Sequence, residues 1–354
     1  MIRTSTLEKS LASQIEPRLR DVTPGVQVRA YQGGKLVCDI SVGETYPYYD
    51  LASVTKIIFS VQAMTVAFEE KKWDLDTKLS AVLPWFPSKK TRVQDLLTHS
   101  SGLPWWVPFY KDIKTDVSVP ERWKQLQSMI IGQEIEIKEV STYSDVGILT
   151  LAFALEALYQ KPLPEVWNDT KEKFYSGTTL NFHPGNLAAY RKNLYAPTEE
   201  CPWRLRVLQG EVHDENAFAL GGISSHAGLF GSIDDMGWFL LHLRSQIQGV
   251  ARSIIRQKTA MLFSQRARPV GKGDWALGYM MPTPGSASCG VYFSLNSIGH
   301  TGFTGTSAWY DPKMDLAVAV LSNRVAYGRE NKAFGPLRSD IHNWLVEGLK
   351  KSSY

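Results

Sequence analysis

The chain has 354 residues, 44% of them hydrophobic and 21% charged, which provides for a large buried core and excludes a disordered or fibrous chain. Its net charge of +4 comes from 39 basic and 35 acidic residues, interspersed without a run of five like charges, so no nucleic-acid partner is expected. Cys38, Cys201 and Cys289 are scattered and lack CxxC spacing, which excludes a disulfide framework and a zinc site; no metal and no other cofactor is expected.

The opening segment "MIRTSTLEKSLASQIEPRLR" has no central apolar block, and no stretch reaches about 18 consecutive apolar residues, so membrane insertion is not expected. With unpaired cysteines this points to a cytoplasmic protein, or a periplasmic or secreted one if a leader has been removed. Leu7, Leu11, Ile15 and Leu19 recur every four residues and predict an amphipathic helix. "VQVRAY" and "KLVCDISVG", separated by Gly33-Gly34, predict a hairpin, and helical periodicity follows from about Ser53 to Glu70. From Trp73 to about Lys272 the pattern is of helices and long loops rich in Pro, Gly and Trp, with a strongly apolar helix from Val146 to Tyr159. Strand character returns after Trp275 in "GVYFSLNSIGH", "GTSAWYDP" and "DLAVAVLSN", and Ser339 to Lys350 closes the chain as a helix. The expected fold is α+β, an antiparallel sheet flanked by helices. Residues 1–72 and 273–354 form the sheet-bearing subdomain, 73–272 an inserted, mostly helical one, and the active site lies in the cleft between them.

Three short segments carry chemistry. In "DLASVTKIIFS", Ser53 and Lys56 are three apart, so on a helix the hydroxyl and the amine share a face. A serine hydroxyl becomes a useful nucleophile only beside a base, and a lysine acts as one only when burial or neighbouring charge lowers its pKa. Taken alone, the same spacing fits an ordinary N-capping serine. Tyr143-Ser144-Asp145 precedes the apolar helix, where the tyrosine either projects into a cleft or anchors the helix. His300-Thr301-Gly302 opens a strand, where Gly302 either admits a substrate backbone or marks a bulge.

In this order, Ser-x-x-Lys, Tyr-x-Asp and His-Thr-Gly resemble the three motifs of the serine β-lactamases and penicillin-binding proteins. The tyrosine form is most similar to the class C branch, which also holds DD-peptidases, esterases and amidases. "DLDTKLSAVLP", "TRVQDLLTHSSGLP" and "ALGGISSHAGLFGSIDDMGWFL" extend the resemblance over most of the chain. It implies a β-lactamase/transpeptidase-like fold, Ser53 as acylated nucleophile, Lys56 and Tyr143 as proton-relay pair, and an oxyanion hole from the N–H groups of Ser53 and Phe303.

Two residues depart from the pattern. Asp145 stands where many members carry Asn, and loses an amide donor. His300 stands where β-lactamases mostly carry Lys, so no permanent cation faces a substrate carboxylate, which disfavours β-lactams and classical DD-carboxypeptidase substrates. "GEVHDENAFALGG", with His213, Asp214 and Asn216, resembles the form of this segment in cell-wall relatives such as N-acetylmuramyl-L-alanine amidases; a polar loop satisfying its own backbone is the other reading. "GLPWWVPFY" offers aromatic faces, Trp105 among them, for a sugar ring or acyl group, unless its tryptophans are core. Asp145, His300, Thr301, Gly302, His213, Asp214, Asn216 and Trp105 are the expected substrate contacts. The expected partner is a small molecule or muropeptide and the expected activity amide hydrolysis, with an esterase or β-lactamase, or a ligand sensor that does not turn over, as alternatives.

Overall fold

The computed structural model describes residues 5–137, 139–183, 191–250 and 253–352. The first helix, Thr6–Ile15, begins with a capping box in which Ser5 Oγ accepts from the Glu8 N–H and Glu8 returns the bond to the Ser5 N–H. It buries Leu7, Leu11 and Ile15. Strands Gly25–Gln32 and Lys35–Gly43 follow, joined through Gly33 and Gly34 at φ 59° and 78°. Two consecutive positive φ values make the turn whose twist matches a hairpin.

The two ends of the chain meet in one five-stranded antiparallel sheet, ordered Lys35–Gly43, Gly25–Gln32, Leu316–Ser322, Ser307–Asp311, Ile298–Thr301. Along Leu316–Ser322 the side chains alternate between two cores, as a period of two requires. Leu316, Val318 and Val320 join Val26, Val28 and Trp309 beneath helices Thr6–Ile15 and Phe334–Ser352. Ala317, Ala319 and Leu321 join Ala308 and Tyr310 in the larger core, where helix Ile233–Gln248 lies across the sheet. Burial on both faces explains why this strand is almost continuously apolar. Small residues on the second face let the helix approach; a Cβ on Gly237 would come within 2.5 Å of the Tyr31 hydroxyl.

Helix Asp145–Tyr159 runs through the larger core with Val146, Ile148, Leu149, Leu151, Ala154 and Leu155 buried, and its N-cap Ser144 accepts from the Gly147 N–H at 2.9 Å. Three features differ from the sequence reading. Residues 73–272 are not purely helix and loop, because Leu229–Gly231 pairs with Tyr49–Asp50 and with Asn181–Phe182, and Pro197–Cys201 forms a hairpin with Arg206–Gln209. Helix Ile233–Gln248 belongs by packing to the sheet, and one continuous core runs from Tyr49 to Leu321. The strand expected from residue 290 begins only at Ile298; residues 291–297 form bends and turns, held where the Asp311 carboxylate accepts from the N–H and hydroxyl of Ser294.

Candidate active site

Ser53 stands on a tight turn fixed from below by a buried acid. Asp50 Oδ1 accepts from the Ala52 N–H at 2.8 Å and Oδ2 from the His213 N–H at 2.6 Å, while burial pushes this carboxyl above its usual range. Ala52 is thereby held at φ 47°, a left-handed conformation that costs a non-glycine residue about 1 to 2 kcal/mol. The chain then makes a 3-10 turn over Ala52–Val54, a wide π turn over Lys56–Ser60 and regular α-helix over Val61–Glu69, in place of one uniform helix. Single π turns of this kind concentrate at functional sites.

The turn after strand Ile298–Thr301 is stitched to the same place. Thr304 Oγ1 donates to the Asp50 carbonyl at 2.7 Å and Thr306 Oγ1 to the Leu51 carbonyl at 2.9 Å. Gly302 is needed here for space: a Cβ would lie 2.0 Å from Thr306 Oγ1 and 2.6 Å from the Leu51 carbonyl oxygen. On this side it is the chain leading to Ser53 that approaches the glycine. Phe303 is thus brought beside Ser53. Its ring stacks on His213 with centroids 5.5 Å apart, and the Arg324 guanidinium lies 4.7 Å above it.

Four polar atoms close a ring at the serine. Lys56 Nζ donates to Ser53 Oγ at 2.7 Å and to Asp145 Oδ1 at 2.8 Å; Tyr143 Oη lies 2.9 Å from Ser53 Oγ and donates to the same Asp145 oxygen at 2.7 Å. The third lysine hydrogen goes to the His226 carbonyl at 2.8 Å. Burial lowers the Lys56 pKa, opposed by Asp145, and raises that of Tyr143 well above its ordinary value, reinforced by the Asp145 charge. The His226 ring is itself fixed, with Nε2 donating to Asp214 Oδ1 at 3.0 Å and Nδ1 lying 2.7 Å from Ser224 Oγ. Although burial works to raise it, His226 and the Ala217 N–H hold the Asp214 carboxyl far below the usual carboxylate range.

Aromatic rings orient Tyr143. Trp275 stacks on it at 5.7 Å and 27°, and His99, whose Nδ1 accepts from the Ser144 N–H, lies 4.9 Å away. His300 lies 6.1 Å from Tyr143, is buried, and donates from Nδ1 to the Thr301 carbonyl at 2.8 Å. Burial, with the nearby Lys56 charge, pushes its pKa down to about 3, so the imidazole is neutral at neutral pH.

The remaining expected contacts separate. Trp105 is 62% exposed, and its carbonyl accepts from the Asp145 N–H at 2.8 Å, which ties its backbone to the loop that carries Tyr143. It borders an open pocket of about 290 Å³ together with His99, Leu103, Glu134 and Thr142. Thr301 is partly exposed at the strand end. Asn216 is corrected from substrate contact to loop anchor: it is buried, its Oδ1 accepts from the Tyr110 N–H and its Nδ2 donates to the Val107 carbonyl. His213 and Asp214 lie behind Phe303 and Lys56, where Asp214 caps helix Glu215–Ala219.

Sequence reasoning missed Asp50, which stands just before Ser53 in the chain, and Trp275 and the His226 carbonyl, which are brought in from distant parts of it. It also missed a buried charge cluster in which Arg329 bonds both Glu199 and Glu215, with His213 Nε2 3.2 Å from Glu199. Burial opposes the Glu199 charge, but His213 and Arg329 hold its carboxyl down at about 2. Glu199, Cys201 and Glu215 are close enough to share a cation, but Arg329 already occupies the two acids. Among the described residues no helix is long and apolar enough to cross a membrane.

The model of the Beta-lactamase family matches residues 11–338. The chain belongs to that family. An N-acetylmuramyl-L-alanine amidase of Bacillus subtilis (strain 168) is 33% identical over 323 residues, covering 84% of this chain and 72% of the relative. A Salmonella typhimurium (strain LT2) protein with a provisional D-alanyl-D-alanine carboxypeptidase name is 29% identical over 359 residues, covering 91% of this chain and 81% of the relative. Among solved structures, the D-amino acid amidase of Ochrobactrum anthropi SV3, complexed with L-phenylalanine amide, has a TM-score of 0.71 over 99% of this chain and 100% of its own at 16% identity, a likeness of fold. The fold is β-lactamase/transpeptidase-like, and family membership together with the 33% identical relative places the protein among hydrolases.

Proposed function

We propose that this protein is a serine hydrolase that cuts an amide bond in a peptidoglycan-derived muropeptide through a covalent acyl-enzyme. The observation that carries the reading is a partly exposed Ser53 on a strained turn, with its Oγ within 2.7 Å of Lys56 Nζ and 2.9 Å of Tyr143 Oη. In the proposed reaction Ser53 attacks the amide carbonyl, and the N–H groups of Ser53 and Phe303 stabilise the oxyanion. The proton released from Ser53 returns to the leaving nitrogen through the same polar ring, and water then releases the acid.

The bond between muramic acid and L-alanine is favoured over a peptide bond further along the stem. The amidase name of the 33% identical relative supports this, as does a neutral His300, which offers no charge to a terminal carboxylate. The same neutrality disfavours β-lactams, although a β-lactamase or esterase remains the competing enzyme on this fold. The competing non-enzymatic reading is a sensor that acylates and stalls.

The test is to incubate the protein separately with a purified muropeptide, a chromogenic cephalosporin and a 4-nitrophenyl ester, alongside Ser53→Ala. The reading expects muropeptide turnover with release of the stem peptide, lost in S53A. Brisk ester turnover without muropeptide cleavage would replace it by the esterase. A stable Ser53 adduct without turnover of any substrate would replace it by the sensor.

A further inference from the structure

Phe303 stands at the second position of a tight turn. The Gly305 N–H donates to the Gly302 carbonyl at 3.1 Å and closes it, with Phe303 and Thr304 at its centre. A trans peptide holds its C=O and N–H on opposite sides, so with the Gly302 carbonyl turned inward the Phe303 N–H points out of the turn. It donates to no described residue, as suits a group kept for an incoming oxygen. The Gly305 bond leaves the next peptide, between Phe303 and Thr304, unrestrained, and the central peptide of a turn is the one whose carbonyl reverses between turn types.

Arg324 takes hold of that peptide. Its Nε donates to the Phe303 carbonyl at 2.8 Å, and Nη1 donates to the Asn331 carbonyl at 2.6 Å, which fixes the far end of the guanidinium. The same guanidinium lies 4.7 Å over the Phe303 ring, on which His213 stacks at 5.5 Å. Both ring contacts belong to one frame, because Arg329, on the same segment as Arg324 and Asn331, bonds Glu199, and Glu199 lies 3.2 Å from His213 Nε2. Arg324 is itself carried by a 3-10 turn directly after Leu316–Ser322, the middle strand of the sheet, so the hold is built on a rigid support. Among the described residues no carboxylate bonds it; Glu199 and Glu330 act on it through their charge alone. The planar fork thus serves a backbone carbonyl and a ring in place of an ion pair.

Building on the serine-hydrolase reading above, we infer that Arg324 is a positioning residue of the oxyanion hole: it fixes the carbonyl and ring of Phe303, and so keeps the Phe303 N–H aimed at the oxygen that becomes negative as Ser53 attacks. Arg324 exchanges no proton in this role and acts through Phe303. The carbonyl oxygen of a bound substrate carries little charge and the oxyanion a full one, so a misaimed donor weakens the transition state far more than binding. Loss of the guanidinium therefore falls on kcat and spares KM.

The test uses the full chain as wild type, Arg324→Ala and Arg324→Lys, with a 4-nitrophenyl ester as substrate. Active sites are counted by complete labelling of Ser53 with a fluorophosphonate, so that kcat refers to competent protein alone, and melting curves show that each variant is folded. R324A should lose about 100-fold in kcat with KM within about threefold of wild type. Methylguanidinium, which fits the space left by the shortened side chain, should restore at least about tenfold of that loss. R324K keeps a charge and a donor but cannot bond Phe303 and Asn331 from one plane, so it should stay at least about tenfold below wild type; it carries the comparison should R324A fail to fold. A folded variant with kcat within about threefold of wild type overturns the inference, as does a loss that falls on KM, or a folded R324A that methylguanidinium leaves unchanged. The same pattern on the ester without any muropeptide turnover would sink the substrate reading while supporting this one. A wild type that neither labels at Ser53 nor turns over the ester overturns both.

Discussion

Gly302→Ala tests the placement of the Phe303 turn against Ser53 with a single methyl group. Gly302 lies outside the left-handed region, so alanine suits its backbone and the penalty is steric. The new Cβ would meet Thr306 Oγ1 at 2.0 Å and the Leu51 carbonyl oxygen at 2.6 Å, where ordinary contact begins at 3.4 Å. These two atoms are hydrogen-bonded to each other at 2.9 Å, so relieving the clash pulls the turn off the nucleophile loop and breaks that bond. Overpacking of this kind costs about 1 to 3 kcal/mol and the lost bond about 1 kcal/mol. For a chain of this size that is a melting temperature lowered by about 3 to 5 °C. The Phe303 N–H, displaced by roughly 1 Å from its proposed oxyanion position, should reduce kcat on a 4-nitrophenyl ester about 100-fold. Calorimetry and steady-state kinetics on the purified variant measure both, and adding Thr306→Ala, which removes the nearer obstacle, should recover part of each. A G302A protein with wild-type melting and activity within threefold would refute the stitched-turn argument.

Burial holds His242 and His342 down at about 4, with Arg338 charge adding to the effect at His342. The unfolded chain takes up these protons near pH 6.5 and the folded one only near 4, so stability should fall as pH drops through that window and level off below it. The ceiling is about 3 kcal/mol for each histidine. His242→Phe, packed against Phe174, should flatten that part of a denaturant-midpoint profile; an unchanged slope between pH 6.5 and 4.5 would contradict it. Arg329→Met strands Glu199 and Glu215, both buried, and should cost about 3 kcal/mol at neutral pH and less in acid, measured by urea unfolding; a loss independent of pH would show that the charges are not the cause.

Local signals were legible where side chains repeat with a fixed period. The Leu7, Leu11, Ile15 series, the Gly33-Gly34 turn and the helix ending at Tyr159 stand where periodicity and turn chemistry put them. Ser53, Lys56 and Tyr143 were legible because helix geometry joins the first two and the family pattern supplies the third. Residues 291–297 misled because Val291, Tyr292 and Leu295 are apolar yet exposed on a turn anchored by Phe293 and the Ser294–Asp311 bonds, so composition suggested a strand that packing does not form. Asp50, Trp275 and the His226 carbonyl carry no local mark, since each matters through a partner far away in the chain. The placement of helix Ile233–Gln248 escaped notice for the same reason: its apolar face reads the same whether it packs on helices or on a sheet.

Helices Thr6–Ile15 and Phe334–Ser352 lie against each other on the sheet face turned away from the core that carries Ser53. A bead, dye or carrier protein joined through a short tether beside either helix would therefore sit behind the sheet and leave the Ser53 side of the molecule uncovered. Two different reporters attached there would stand near each other, which makes this back face a convenient handle for immobilising the protein or following its unfolding by energy transfer.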